Sequence, residues 1–419
     1  MSDSIENLLE RRAILGPAYR LFYDEPLFPV QGEDVWLTDH TGRRYLDAYN
    51  NVPVVGHCNG AVVQAMSEQA QTLCTHTRYV HDAVLDYGER LLAHFPKYLN
   101  RVMFTCTGSE ANDLALRMAF AVTGGQGVIV TANAYHGVTH LLAQLSPSLG
   151  AIGDFVRVVQ PPLTQSEDAA QAFAQEIRAA IQSLQDAHIK PSALLIDTVF
   201  ASDGIFAPDE GLLGLGIDTA REAGLLIIAD EVQAGFGRLG SDWWGFVSAG
   251  FKPDIVTMGK PMGNGYPLAG VVAKGDLVQT FADTGRYFNT FGGNPVAMKV
   301  GMAVLNELEQ RNLPEQVDTL GETMQEALLG LKELGVVEVR GKGLYWGVQL
   351  AATDTQTAAE RAKFVVNDMR QHGVLLSQCG PNMDTLKIRP PLTFTASHIE
   401  IFIQTLSAAL QKQCLVNIK

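Results

Sequence analysis

Two residues of this sequence are well placed to do chemistry, because each follows a short apolar run. Asp230 ends the run 225–229, and Lys260 comes thirty residues later, after the run 254–258. A carboxylate at the end of a buried strand needs a cationic partner, such as a protonated ring nitrogen. A lysine in a partly dry pocket has a lowered pKa and can form a Schiff base with a carbonyl compound. Taken singly, Asp230 is also compatible with a helix cap, and Lys260 with a solvated turn.

Two further polar segments follow apolar runs in the same way. Gly108 and Ser109 lie in a turn that feeds a helix. The free N–H groups and the positive dipole end of such a turn can cradle a phosphate, although Ser109 is equally compatible with an ordinary N-cap. Tyr135 and His136 form the other segment, where an aromatic side chain can stack on a flat ring or belong to the core.

Together the four segments indicate a single ligand. They provide for a phosphate, a flat ring, a ring nitrogen that needs an acid and a carbonyl that needs an amine, which are the parts of pyridoxal 5′-phosphate (PLP). A nucleotide fits less well, because Pro261 stands where a Walker A lysine is followed by Ser or Thr. No G-x-G-x-x-G follows the first predicted strand of the sheet, and no CxxC predicts a metal site.

The elements that must position these residues alternate between strands and helices. Apolar runs predict buried strands at 102–105, 128–131, 193–197, 225–230 and 254–258, with helices at 166–187 and 209–223, the second followed by Gly224. This alternation is typical of a mostly parallel sheet covered by helices, whose ligands bind at the carboxyl ends of the strands. Beyond a helix at 295–311, a smaller α+β domain is predicted from strands at 336–340, 344–350, 374–377 and 384–388 and helices at 357–372 and 396–411.

The composition limits the classes of function. The chain has 419 residues, 47% of them hydrophobic, and a net charge of −14, which favours two or three globular domains and argues against non-specific nucleic-acid binding. Five widely spaced cysteines favour a reducing compartment. Residues 1–20 lack the apolar segment of a signal peptide, and no run of about 18 apolar residues predicts a membrane span. We therefore expect a cytoplasmic enzyme.

The motifs resemble those of class III aminotransferases, PLP-dependent enzymes of fold type I. The resemblance extends from about residue 32 to residue 409, and its most specific segments are 107–112, 135–137, 230–238, 257–260 and 290–295. It implies an α/β fold with a large domain, whose mostly parallel sheet is flanked by helices, and a smaller α+β domain. The implied division is an N-terminal segment of the small domain (1–55), a PLP-binding domain (56–300) and a C-terminal small domain (301–419).

The resemblance also implies roles for individual residues. Lys260 would hold the cofactor as a Schiff base and then move the proton at the substrate α-carbon, and Asp230 would keep the ring nitrogen protonated. The remaining cofactor contacts would come from Gly108 and Ser109 on the phosphate, Tyr135 on the ring face with His136 beside it, Gln233 on the ring hydroxyl, and Thr290 on the phosphate of a neighbouring subunit's cofactor. A homodimer with shared active sites, or a tetramer of such dimers, is implied.

One departure from the family pattern concerns the substrate. Family members that use 2-oxoglutarate carry an arginine that forks onto the substrate carboxylate, and the matching position here is Lys387. A lysine keeps the charge but loses the bidentate fork. Arg389, two positions further, would point to the same side of a strand and could replace that arginine.

Ser202 stands where a gating glutamate is expected, which argues against switching between glutamate and a second donor.

Other segments are similar to the ethanolamine-phosphate and phosphohydroxylysine phospholyases, a branch of the same family, namely residues 50–52, 55–58, 77–82, 258–265, 287–295 and 387–391. That likeness implies a phosphoamine substrate cleaved to aldehyde, ammonia and phosphate, with Arg78, Lys387 and Arg389 as candidate ligands of the substrate phosphate. The alternative is an aminotransferase that passes an amine to pyruvate or another 2-oxo acid. A catalytically silent relative is disfavoured, because every expected catalytic position is filled.

Overall fold

The computed structural model describes residues 5–416, without the side chains of residues 414–416. Residues 1–4 and 417–419, at the ends of the predicted domains 1–55 and 301–419, lie outside the described residues, as does the side chain of Cys414. The helices are α1 (Ile5–Arg11), α2 (Gly60–Thr72), α3 (Asp82–Leu92), α4 (Gly108–Thr123), α5 (His140–Ala143), α6 (Glu167–Asp186), α7 (Gly214–Glu222), α8 (Gly245–Ser248), α9 (Gly275–Thr284), α10 (Pro295–Gln310), α11 (Leu313–Leu329), α12 (Ala358–Gln371) and α13 (Ala396–Val416). Over residues 5–416, no helix is both long and apolar enough for a bilayer crossing.

The strands form three sheets. They are β1 (Pro29–Glu33), β2 (Trp36–Asp39), β3 (Arg44–Asp47), β4 (Arg101–Thr105), β5 (Gly127–Thr131), β6 (Val156–Val159), β7 (Pro191–Asp197), β8 (Leu226–Asp230), β9 (Ile255–Met258), β10 (Ala269–Ala273), β11 (Val336–Lys342), β12 (Tyr345–Leu350), β13 (Val374–Leu375), β14 (Ser377–Cys379) and β15 (Thr385–Ile388). The predicted strands of the large sheet are confirmed within two residues at each end.

The large sheet has seven strands in the order β4-β10-β9-β8-β7-β5-β6. The pairs from β9 through β6 are parallel, whereas β10 runs antiparallel to both of its neighbours. Strands β5, β7, β9 and β10 are buried along their whole length, as expected for a sheet covered on both faces. The predicted α/β architecture is therefore confirmed, and the carboxyl ends of β7, β8 and β9 meet at one edge.

Local sequence signals explain how helix α4 begins and ends. The Thr107 hydroxyl accepts a hydrogen bond from the Glu110 N–H, and the Glu110 carboxylate accepts one from the Thr107 N–H, which makes a capping box. The helix ends at Gly124, whose φ of 64° is a left-handed conformation that glycine adopts without strain. The capping fixes the start of α4 at Gly108, directly after strand β4.

Three predicted elements differ from the structure. The helix predicted at 396–411 continues to Val416. The helix predicted at 209–223 begins only at Gly214, because Gly211 has a φ of 90° and an α-helix cannot continue through that conformation. The strand predicted at 374–377 is divided between two sheets. Val374 and Leu375 pair in parallel with β3, whereas β14, which begins at Ser377, pairs with β15.

The N-terminal strands therefore share a sheet with the C-terminal part of the chain. Its order is β1-β2-β3-β13, and the remaining sheet has the order β11-β12-β15-β14. The backbone N–H of Ala48 donates to the carbonyl of Leu375, and the backbone N–H of Arg389 donates to the carbonyl of Ala48. These bonds hold the start of the chain and the end of β15 close together.

Candidate active site

A cavity of about 110 Å³ opens at the carboxyl edge of the large sheet. It is lined by Gly108, Ser109, Asn112, Tyr135, His136, Gly137, Asp197, Asp230, Val232, Gln233 and Lys260. Seven of these residues were predicted from the sequence, and they come from four separate segments of the chain. Asp197 and Asn112 were missed. The signal for Asp197 was present, since it ends a predicted buried strand as Asp230 does, and the two are register partners on β7 and β8.

Lys260 is half-buried directly after strand β9. Loss of water around its ammonium group, and after it the positive charge of Arg389, lower the pKa of Lys260 to about 8. The carboxylates of Asp230 and Asp197 act in the opposite direction. A side chain at Gly259 would bring a Cβ within 3.3 Å of the Gly108 backbone, so the lysine turn packs closely against the start of α4. The neutral amine that a nucleophile requires is therefore accessible near neutral pH.

Asp230 is buried at the end of β8 and is held on both carboxylate oxygens. Its Oδ2 accepts hydrogen bonds from the Asn112 amide and from His136 Nδ1, each at 2.8 Å, and its Oδ1 accepts one from the Val232 N–H at 3.1 Å. Because an ionised carboxylate only accepts, Nδ1 of His136 carries the proton. Among the described residues, His136 Nε2 is buried without a partner. The carboxylate is thus fixed in orientation and lines the cavity beside Lys260.

Asn112 links three elements around the cavity. Its amide nitrogen donates to Asp230 and to the His136 carbonyl, and its oxygen accepts from the Thr257 hydroxyl at 2.6 Å. These bonds join α4, the loop after β5 and strand β9. Asn112 therefore joins Asp230 to strand β9, which ends two residues before Lys260, although neither periodicity nor a strand end could have singled it out in the sequence.

A second buried acid, Asp197, lies beside Asp230. Burial and then the neighbouring charge of Asp230 raise the pKa of Asp197 to about 6, against hydrogen bonds from the Val199 and Ala201 N–H groups. Two carboxylates at one end of a cavity make it negative, which suits a cationic ring nitrogen. The N-terminus of α4 lines the same cavity.

The turn at the start of α4 can hold a phosphate. Gly108 and Ser109 are the first two residues of a 16-residue helix, and their N–H groups have no partner within it. Gly137 packs against this turn with a φ of 138°, and a Cβ there would lie 2.6 Å from Ser109 Oγ. Glycine is therefore required at 137 for the two loops to enclose the site. The residues present fit an anionic group at one end and a ring cation at the other.

Gln233 lines the cavity and also contacts residues from the C-terminal part of the chain. Its side-chain oxygen accepts hydrogen bonds from the Arg389 guanidinium, the Tyr345 hydroxyl at 3.0 Å and the Asn51 amide at 3.5 Å. Arg389 itself lies over the ring of Tyr49, with 4.8 Å between its central carbon and the ring centroid. Its Nε is buried and has no hydrogen-bond partner among the described residues. Arg389 thus carries a free donor close to the cavity.

Lys387 is arranged differently from Arg389. Its ammonium group is buried and donates to the carbonyl of Ala201 at 2.7 Å, and it does not line the cavity. Burial lowers the pKa of Lys387 to about 8. The two side chains that strand alternation placed together therefore have different partners, because β15 ends at Ile388 and Arg389 follows it.

Arg78 and Thr290 lie outside the cavity of their own chain. Both are exposed, and the Arg78 guanidinium lies 3.8 Å from the ring centroid of Phe288. Their predicted contacts with substrate and with a neighbouring subunit's cofactor stay predictions. Tyr135 lines the cavity and is 37% exposed.

Comparisons with known proteins identify relatives over nearly the whole chain. Residues 22–410 match the model of the family described as aminotransferase class-III. The chain is 35% identical to alanine–glyoxylate aminotransferase 2-like of Drosophila melanogaster, over 97% of this chain and 88% of that one. It is 33% identical to ethanolamine-phosphate phospho-lyase homolog 1 of Caenorhabditis elegans, over 99% of this chain and 94% of that one.

Among solved structures, a phospholyase from Arthrobacter in complex with phosphoethanolamine superposes with a TM-score of 0.93. It is 41% identical, and the match covers 96% of this chain and 99% of that one. The fold, the sheet order and these matches agree with the architecture predicted from the sequence. The chain is an enzyme of fold type I and belongs to the class III aminotransferase family.

Proposed function

We propose that the cavity binds pyridoxal 5′-phosphate. Gly108 and Ser109 would hold the phosphate, Asp230 the ring nitrogen and Tyr135 the ring face, with Lys260 as the attachment point. The chemistry that this cofactor supplies when bound is the withdrawal of electrons from the carbon that carries the substrate amine. The proposal is supported by the helix N-terminus, the two carboxylates and the lysine that line one cavity, and by the family to which the chain belongs.

The residues of this chain would have separate roles in the reaction. Lys260 can take and return a proton at the substrate α-carbon near neutral pH, since its pKa is about 8. Asp230 stabilises a positive charge on the ring nitrogen, and Asn112 and His136 keep its carboxylate oriented. Gln233 presents its amide to the ring hydroxyl.

We further propose that the reaction is phosphate elimination from a small phosphoamine such as O-phosphoethanolamine. Removal of the α-proton is followed by cleavage of the bond between the β-carbon and the phosphate oxygen. Inorganic phosphate departs with the electron pair, and water converts the remaining unsaturated amine to acetaldehyde and ammonia. The observation that carries the proposal is the 41% identity to the Arthrobacter phospholyase, across almost the entire length of both chains.

The residues around Arg389 support an anionic substrate. Its guanidinium is half-buried beside the cavity, and its buried Nε lacks a partner among the described residues, so it has a donor to offer to a phosphate. Lys387 would add positive charge without a direct bond, because its ammonium is already held by Ala201. Arg78 would contribute only to a site on a neighbouring subunit.

The alternative is amine transfer to pyruvate or another 2-oxo acid, which the 35% identity to the Drosophila aminotransferase-like protein favours. The same Lys260 chemistry would serve, with Arg389 on the carboxylate. A direct test is phosphate release from O-phosphoethanolamine by the PLP-loaded enzyme without any 2-oxo acid. Release in many turnovers supports the lyase, whereas transfer from a simple amine to pyruvate without phosphate release supports the aminotransferase.

We also propose a homodimer, in which Thr290 reaches the partner's cofactor. Exposed apolar side chains in the segments around Arg78 and Thr290 support this, namely Tyr79, Val80, Leu85, Phe288 and Phe291. Sedimentation at several protein concentrations tests the dimer, and a tetramer is one further outcome. We propose the division at residues 55 and 300 as well, and the pairing of β3 with β13 supports grouping residues 1–55 with residues 301–419. The cytoplasm is the proposed compartment, in keeping with four free thiols among the described cysteines.

A further inference from the structure

The side-chain oxygen of Gln233 accepts three hydrogen bonds. The donors are Arg389, Tyr345 and Asn51, and the bond from Asn51, at 3.5 Å, is the longest. A guanidinium can only donate, so the oxygen of the amide must face Arg389 and the nitrogen must face away from it. Because Gln233 lines the cavity, its NH₂ group is the end that remains for the cofactor.

The orientation matters because an amide nitrogen can only donate. Turned this way, Gln233 offers N–H groups to the ring hydroxyl and thereby favours the deprotonated form of that hydroxyl. Turned the other way, it would offer an acceptor and favour the protonated form. The direction of this one amide therefore influences the protonation state of the bound cofactor.

Arg389 is expected to release Gln233 when substrate binds, because a phosphate is bound by two guanidinium nitrogens and not by the free Nε alone. On the proposed function, the guanidinium is drawn to the phosphate of the substrate, and a charged acceptor competes strongly with a neutral amide oxygen. Tyr345 is then the nearest donor left on Gln233, at 3.0 Å. Its side chain is fully buried on β12, and burial raises the pKa of its phenol, so the hydroxyl stays protonated and keeps donating.

We propose that Tyr345 is a positioning residue that holds the Gln233 amide in its donor orientation while Arg389 binds the anion of the substrate. This inference rests on the proposed function for the role of Arg389. Tyr345 itself touches neither cavity nor substrate, and it acts through Gln233. The C-terminal part of the chain thus contributes two separate contacts to one amide, and only one of them is given up when substrate binds.

The test uses Tyr345→Phe, which removes only the hydroxyl and leaves Gln233 bonded to Arg389 in the free enzyme. Tyr87→Phe is the matched control, since Tyr87 is also fully buried but its hydroxyl has no hydrogen-bond partner among the described residues. The readout is the pH midpoint of the visible absorbance change of the bound cofactor, measured with and without saturating inorganic phosphate as the anion probe.

We expect the midpoint of Tyr345→Phe to match wild type without phosphate and to rise by about one pH unit relative to wild type when both are saturated with phosphate. A hydrogen bond to a charged group has this size of effect. Tyr87→Phe should follow wild type in both conditions. Equal midpoints of Tyr345→Phe and wild type with phosphate bound would overturn the role of Tyr345 and leave the lyase proposal intact.

A failure of inorganic phosphate to inhibit competitively would also overturn the inference, because Arg389 would then not be drawn to an anion. Phosphate release from O-phosphoethanolamine separates that outcome from a failure of the proposed function. If release continues, the reaction stands and only the anion site is misassigned. If release is absent, the lyase proposal and the inference that rests on it fail together.

Discussion

Replacement of Arg389 by methionine should weaken substrate binding far more than replacement of Lys387 by methionine. On the proposed function, Arg389 offers a buried and unpartnered Nε to the substrate phosphate. The Lys387 ammonium, in contrast, is already bonded to the carbonyl of Ala201. The two positions lie only two residues apart, and both substitutions remove one positive charge. Each variant is therefore the matched control for the other.

The magnitude follows from the kind of bond that is lost. A hydrogen bond to a charged group contributes about 1.5–3 kcal/mol, and every 1.4 kcal/mol is tenfold in affinity, so Arg389→Met should raise KM for O-phosphoethanolamine about 10- to 150-fold. Lys387→Met acts only through space and should change KM by about fivefold or less. Arg389→Lys keeps the charge without the fork and should fall between the two.

The assay is steady-state phosphate release at a series of substrate concentrations, with the visible absorbance of the cofactor as the check on loading. Tyr345 still holds Gln233 in the Arg389 variants, so the absorbance should be unchanged. Equal effects of Arg389→Met and Lys387→Met on KM would refute the reasoning. A larger effect of Lys387→Met would mean that the ammonium leaves Ala201 when substrate binds and takes the place of the missing arginine.

Three other outcomes are expected. Lys260→Ala should abolish turnover while PLP still binds non-covalently. Loss of the visible band of lysine-attached cofactor would show that the covalent attachment is gone. Unimpaired turnover would remove the assignment of Lys260. Asp230→Asn should lower kcat by at least about tenfold with little change in PLP content, because it removes the charge that keeps the ring nitrogen protonated. A near-normal kcat would show that another group supplies that charge. The rate of PLP attachment to apo-enzyme should rise with pH through a midpoint near 8, because the lowered pKa leaves Lys260 neutral above that value; a midpoint near that of an unperturbed lysine would contradict the buried environment.

The residues that end buried strands were the easiest to predict from the sequence. Asp230 and Lys260 follow β8 and β9, and parallel strands bring their carboxyl ends to one edge, so a common site follows from the order of the elements alone. Gly108 and Ser109 could be added because they lie in a turn that feeds a helix, although the N-cap is Thr107 and not Ser109. These signals are local, and the fold only has to preserve them.

The substrate side could not be predicted in the same way, because it depends on contacts between distant segments. Strand alternation placed Lys387 and Arg389 on one side, but it gave no sign that the carbonyl of Ala201 would hold the ammonium or that Gln233 and Tyr49 would hold the guanidinium. The donors on Gln233 come from positions 51, 345 and 389. No periodicity links such positions.

The division of the strand predicted at 374–377 has the same origin. Its residues have the apolar character of one continuous strand, but Val374 and Leu375 pair with β3, and Ser377 pairs with Lys387 on β15. Tertiary structure decides which neighbouring strand has an unpaired edge for these residues. Helix α7 is the opposite case, since Gly211 was visible in the sequence and its left-handed φ could have been anticipated.

The most direct test of the account is the stoichiometry of products from O-phosphoethanolamine when PLP-loaded enzyme is given no 2-oxo acid. Phosphate, ammonia and acetaldehyde should form in equal amounts over many turnovers, and Lys260→Ala should form none. Enzyme that releases no phosphate under these conditions yet transfers an amine to pyruvate would contradict the proposed phosphate elimination. Arg389 would then bind a carboxylate, and the reaction would be transamination.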